Sequence, residues 1–194
     1  MHGVQPRDMD IEIVARAQLG DERAFEALTV AGHPRLFRVA YGILRDATLA
    51  EDATQQAFVD IWRNLRRLGD PSRFEAWSYR LLIDACYDEA ARKPDSASDA
   101  ELSTIVETKI PDPFGSVIDQ DQIGRGFAQL SLEHRAVIVL RYLLDLSAED
   151  TAEALGVGKG SVASRLERAL GALRAILDAD APPATTSLQG VGAR

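Results

Sequence analysis

The sequence predicts an all-α protein: two small helical domains joined by a flexible linker, the C-terminal one a helix-turn-helix. Three observations carry that expectation. Apolar residues recur at helical spacing through two long segments, no stretch has the pattern of a credible strand, and a run rich in Pro, Asp, Ser, Ala and Thr separates the segments. With 194 residues and 46% hydrophobic content, the chain has enough apolar material for real cores.

The elements follow in order. Ile11, Val14, Ala15 and Leu19 mark a first helix that stops at Gly20, and Asp21 is placed to cap a second carrying Phe25 and Leu28. After Pro34 a third pattern, Leu36, Phe37, Val39, Ala40, Ile43 and Leu44, predicts a largely buried helix. Thr48 and Glu51 have capping-box spacing and open a helix with Ala53, Ala57, Ile61 and Leu65 on one side. Pro71 breaks the chain, after which Phe74, Trp77, Leu81 and Leu82 begin a helix running to about Arg92. Residues 10–92 form the first domain and 93–113 the linker, within which the short apolar piece Leu102–Val106 reads as a transient helix or unstructured chain in preference to a segment that docks on a partner surface.

The second domain, residues 114–177, begins with Val117, Ile118, Ile123, Phe127 and Leu130, and Ser131 caps the helix LEHRAVIVLRYLLDL. Ser147 and Asp150 open a short helix ending at Gly156, and past Gly160 a last helix presents Val162, Leu166, Ala169, Leu170, Leu173 and Leu177 on one face. Residues 178–194 are expected to be a disordered tail.

Several function classes are disfavoured. There is no apolar run of membrane-spanning length, and MHGVQPRDMD lacks the basic-then-apolar pattern of a secretory signal, so a cytoplasmic protein without a membrane partner is expected. Cys86 is the single cysteine and reads as a buried structural thiol. His2, His33 and His134 show no metal-ligand spacing, and no nucleophile, base and oxyanion-donor set is legible, so neither catalytic residues nor a cofactor are expected. The net charge of −8 argues against avid nonspecific nucleic-acid binding, so any DNA contact must be local or assisted by a partner.

The glycine-rich stretch GVGKGS poses the sharpest choice. A Walker phosphate loop would need glycine at position 153, which is Glu153, and a hydroxyl after Lys159, where Gly160 stands; a helix rather than a strand precedes it. A helix-turn-helix accounts for the same residues: Gly156 takes the left-handed conformation that ends the first helix, and Val157 plugs the angle between the two. The second helix then leaves Ser161, Ser164, Arg165 and Arg168 outside or on its flanks. Two small hydroxyls suit close approach to DNA and two guanidiniums suit phosphates or guanine edges, although a plain solvated face explains them equally well.

The segment LSLEHRAVIVLRYLLDLSAEDTAEALGVGKGSVASRLERALGALR, Leu130–Arg174, resembles the fourth conserved region of bacterial sigma factors of the extracytoplasmic-function (ECF) group. ARAQLGDERAFEAL, LAEDATQQAFVDIW (Leu49–Trp62) and FEAWSYRL (Phe74–Leu81) resemble that group's second region in order and spacing. The resemblance implies an initiation factor whose first domain grips the clamp helices of the largest subunit of core RNA polymerase. It places Glu51, Asp52, Gln55, Gln56 and Asp60 at that contact. The loop Arg66–Arg73 and the helix after it would open the −10 element, with Phe74 and Trp77 serving as core rather than as base platforms. The second domain would meet the polymerase flap and set Lys159, Ser161, Ser164, Arg165 and Arg168 at the −35 element, with Lys159 and Arg165 on phosphates and Arg168 on phosphate or base. An anti-sigma protein is an expected partner.

Some residues depart from that pattern. Ala163 stands where a basic residue is usual, Glu167 occupies a position that often faces DNA, and Ile83 and Asp84 replace an Arg-Asn pair, followed by Asp88 and Glu89. Over residues 131–177 the formal charges cancel. Carboxylates repel promoter phosphates, so these replacements keep open the alternative of a sigma-like decoy that sequesters an anti-sigma protein without reading DNA. A one-component repressor would need a dimer interface or ligand pocket, and neither is legible.

Overall fold

The computed structural model describes residues 6–92 and 122–180. Among them all regular structure is helical: α1 (Pro6–Gln18), α2 (Glu22–Leu44), α3 (Ala47–Asn64), α4 (Phe74–Arg92), α5 (Gln122–Ala128), α6 (Leu132–Ile138), α7 (Ala148–Leu155) and α8 (Lys159–Ala179). The expected linker, its apolar piece, Val117, Ile118 and the tail from 181 onward lie outside the described residues. α8 runs two residues past the expected end of the second domain. No helix among the described residues is long and apolar enough to cross a membrane.

Two sequence expectations are corrected. The second and third predicted helices are one, because α2 continues through Pro34. Proline removes one backbone hydrogen bond and costs about 3 kcal/mol in a helix interior. Tertiary packing on both sides of the break offsets it. The His33 ring stacks on Phe37 and Phe58 at centroid distances of 6.3 and 6.2 Å, its Nε2 lies 3.2 Å from Glu51, and Leu28, Leu36, Val39, Ala40 and Ile43 are buried before and after it. The cap of α3 is Asp46, not Thr48: its carboxylate accepts from the Thr48 and Leu49 amides at 3.0 and 3.1 Å. Arg45, left-handed at φ 56°, ends α2 immediately before it, so the joint is too short to leave Thr48 outside the helix. Glu51 turns instead to His33 and Gln55.

Other caps match the sequence. Asp21 accepts from the Ala24 amide, Ser131 from His134 and Ser147 from Asp150. The long helix expected after Ser131 is shorter: α6 passes into a π-helical turn, Val139–Leu143, and Asp145 turns left-handed at φ 49°. The Arg141 guanidinium donates to the Leu146 carbonyl across that turn.

The two segments share one interior. α4 packs between α3 and α7, while α6 packs on α2 and α8, so that Ile43, Ala53, Ile61, Tyr79, Leu82 and Ile83 form a single buried cluster with Phe127, Val137, Leu140, Ala154 and Val162. A smaller cluster, Val14, Ala17, Ala24, Leu28, Leu65 and Leu68, fixes α1, and Gln18 donates to the Leu65 and Leu68 carbonyls there.

Cys86 is fully buried on α4, and desolvation pushes its thiol up to about 12. Burial likewise raises the Tyr79 phenol. The unfolded chain releases the thiol proton near pH 9 while the folded chain holds it, so this contribution is present below pH 9 and is lost as pH rises towards 12. Urea midpoints are expected to fall between pH 8 and 10.5, and Cys86→Ala is expected to flatten part of that slope. At pH 8 a thiol reagent is expected to react with Cys86 only on unfolding.

Candidate nucleic-acid interface

The turn between α7 and α8 is built as the sequence requires. Gly156 is left-handed at φ 62°, its amide donates to the Glu153 carbonyl at 3.0 Å, and the Val157 amide donates to Ala152 at 2.9 Å. This pair of bonds is a Schellman ending, which favours glycine because a Cβ is disfavoured at that φ. Val157 is half-buried against the core, and α8 opens at Gly158 without a side-chain cap.

α8 buries Val162 and Ala169 and packs Leu166, Leu170 and Leu173 against the core. At about 100° per residue its opposite face is centred on Gly160, Ser164 and Gly171, with Arg168 and Glu167 on either side of that line. A Cβ placed on Gly160 or Gly171 would meet nothing within 4 Å. Ser161, Ser164 and Arg168 are exposed on this face, and the Arg168 Nε donates to its own helix backbone at Ser164, 3.2 Å away. Lys159 is exposed and paired with Glu149 at 2.8 Å; the bond raises the lysine's pKa and lowers the carboxylate's. Arg165 sits on the flank, half-buried and 3.8 Å from Glu133. Tyr87 of α4 lies beside that pair, its phenol raised by burial and then by Glu133. The five predicted residues therefore lie along the first half of α8, with Ser161, Ser164 and Arg168 on the open face, Arg165 at its margin and Lys159 at the helix start, tied to α7 through Glu149.

The first segment presents a second exposed face, on α3. Asp52 and Gln55 are exposed, while Glu51, Gln56 and Asp60 are half-buried and linked along the helix, Gln55 to Glu51 at 3.0 Å and Gln56 to Asp60 at 2.8 Å. Sequence reasoning missed the apolar part of this face. Val59 and Trp62 are 41% and 45% exposed, and with Phe25, Thr29, Phe58 and Glu22 they line an open groove of about 420 Å³. The signal was available: both residues fall off the Ala53, Ala57, Ile61 stripe.

Arg66, Arg67 and Arg73 are exposed in the two short 3₁₀ turns before α4. Phe74 and Trp77 are partly buried, with centroids 6.2 Å apart, and belong to the core. The helix after the loop faces the helix-turn-helix. Arg73 pairs with Glu153 at 2.7 Å, and the Arg80 guanidinium fills the hollow above Gly156, its Nη1 only 1.2 Å from where a Cβ would stand. Ile83 is buried and Asp84 pairs with Arg80 at 3.0 Å, so both departures at this position serve packing and local charge balance.

Comparison with known proteins then decides the family. The Sigma-70 region 2 profile matches residues 29–94 and the Sigma-70, region 4 profile matches residues 120–173. The ECF RNA polymerase sigma factor SigL of Mycobacterium tuberculosis is 34% identical over 145 residues, covering 73% of this chain and 82% of that protein. The chain belongs to the ECF sigma factors. The RNA polymerase sigma factor CnrH of Cupriavidus metallidurans is 30% identical over 189 residues, covering 91% of this sigma factor and 98% of CnrH. Two solved structures have the same fold: CnrH in complex with the cytosolic domain of CnrY, at TM-score 0.65 and 26% identity over 89% of this chain and 99% of that one, and the sigma factor RpoE with the anti-sigma factor NepR from Bartonella quintana, at 0.62 and 25% over 81% and 98%. As an ECF sigma factor the protein binds core RNA polymerase and directs it to specific promoters. Sigma factors as a family are initiation factors rather than enzymes.

Proposed function

We propose a division of labour between the two segments. Residues 10–92 grip the clamp helices of the polymerase largest subunit and open the −10 element, and residues 114–177 meet the polymerase flap and read the −35 element. The observation that carries this reading is the open face of α8, which the turn at Gly156 leaves outside the shared interior. Ser161 and Ser164 allow close approach to the duplex, Lys159 and Arg165 meet phosphates, and Arg168 reaches a phosphate or a base edge. The factor acts in the cytoplasm, without catalytic residues or a cofactor.

On α3 the polar residues Glu51, Asp52, Gln55, Gln56 and Asp60 frame Val59 and Trp62. A polar rim around an exposed aromatic anchor is the composition of a protein interface. Trp62→Ala is expected to weaken core-polymerase binding about tenfold or more in a pull-down titration while leaving upstream promoter preference unchanged. A variant that binds polymerase normally would remove Trp62 from the contact.

Because α4 is covered by α7 and its turn, −10 opening requires the two segments to part, and polymerase binding supplies the energy. The solved complex of RpoE with the anti-sigma factor NepR supports an anti-sigma partner here as well. In vitro transcription with purified core polymerase on a promoter library tests the whole reading. Defined start sites preceded by paired upstream elements are expected, and uniform or absent initiation would refute it.

A further inference from the structure

Glu167 is the charged residue that an ordinary account of this DNA-facing helix leaves over. It is exposed on α8, one turn beyond Ala163 and next to Arg168 on the face opposite Val162 and Ala169. Other carboxylates around the helix-turn-helix are engaged: Glu133 with Arg165, Glu149 with Lys159, Glu153 with Arg73, and Asp150 with Ser147. Glu167 makes no ion pair or side-chain hydrogen bond among the described residues. Its helical neighbours at i ± 3 and i ± 4 are Ala163, Ser164, Leu170 and Gly171, none of which carries a cation. Nothing in the fold requires an acid here.

We propose that Glu167 is a specificity-determining residue of the −35 contact, accepting a hydrogen bond from the N4 amino group of a cytosine in the major groove. This rests on the reading that α8 enters that groove. An ionised carboxylate only accepts hydrogen bonds. In the major groove guanine offers only acceptors and thymine an acceptor and a methyl, so both disfavour it, whereas cytosine offers a lone donor. Adenine pairs its donor with an N7 acceptor, which suits an amide better than a carboxylate. Ala163 and Gly171, a turn before and after, are small and let the short reach of a glutamate suffice. The same charge repels phosphates where no donor faces it, so Glu167 lowers affinity for every other sequence and raises it for none.

The test is selection from a promoter library randomised over the upstream element, using full-length protein with core polymerase and comparing wild type, Glu167→Ala, Glu167→Gln and Arg168→Ala. Glu167 is exposed and unpartnered, so these substitutions leave the fold intact, which a melting curve checks. Wild type is expected to select cytosine at one position by about five- to fiftyfold. Glu167→Ala is expected to lose that preference alone, and Glu167→Gln to move it towards adenine. If Arg168→Ala alters the base map while both Glu167 variants leave it unchanged, the role of Glu167 is overturned and the groove reading stands. If none of the variants changes the map, both fall.

Discussion

Replacing Arg165 and Arg168 together by alanine is expected to reduce promoter-specific initiation about ten- to a hundredfold while core-polymerase affinity stays at the wild-type level. The magnitude follows from about 1–3 kcal/mol for a guanidinium at a base edge and from the counterions released at each neutralised phosphate. The two arginines differ in what they give up. Arg168 is exposed and bonded only to the backbone of its own helix, so DNA gains it at little cost. Arg165 is half-buried and 3.8 Å from Glu133, so it leaves a loose ion pair and the flank of Tyr87 before it can reach a phosphate. The single Arg168 variant should therefore carry the larger loss, and each removed phosphate contact should lower the salt slope of promoter binding by about one. Transcription assays at two salt concentrations, beside a polymerase pull-down, measure both. Parallel loss of polymerase binding would contradict the placement of these residues on DNA.

Gly156 carries the second large effect. Gly156→Val forces a β-branched residue to φ 62° and drives a side chain into the Arg80 guanidinium. Strain of about 1–3 kcal/mol at such a position is expected to lower the melting temperature and abolish −35 recognition together. Gly156→Asn separates the two causes, since asparagine tolerates the left-handed region but still fills the hollow. It is expected to melt close to wild type yet let α4 come away from α7. Amide exchange across residues 76–87 should then accelerate in the free protein, and Glu153→Lys, which repels Arg73, should do the same. Slow exchange in both variants would mean that the apolar interior alone, without Arg80 and Arg73, holds the segments together.

The closed packing gives the odd residues of α4 their meaning. As bare sequence, Ile83 and Asp84 look like losses at a DNA-contacting position. In the fold Ile83 is buried and Asp84 neutralises the arginine that sits on the turn. Neither role could be inferred locally, because α4 packs on α7 and the ion pair beside that contact, Arg73 with Glu153, joins residues 80 apart in the chain. The break at Pro34 failed for a similar reason: a local rule stops a helix there, and His33, Phe37 and Phe58 outweigh it through contacts with α3. Val59 and Trp62 differ: their place off the Ala53, Ala57, Ile61 stripe is legible in the sequence, and only the placing of Phe25 and Thr29 of α2 beside them shows that they line a groove.

By itself the sequence determined that the chain is helical and where most of its helices begin, the caps at Asp21, Ser131 and Ser147, the glycine that bends α7 into α8 and the residues on the open side of α8. Each of these depends on neighbours within about one helical turn, so hydrogen bonding and periodicity encode them directly. Only the tertiary structure decided that both segments share one interior, that Arg80 occupies the hollow over Gly156, and that Glu133 and Tyr87 are what Arg165 meets on the flank of α8. Those outcomes depend on which surfaces exclude water against one another, and that is a property of the whole chain rather than of any stretch within it.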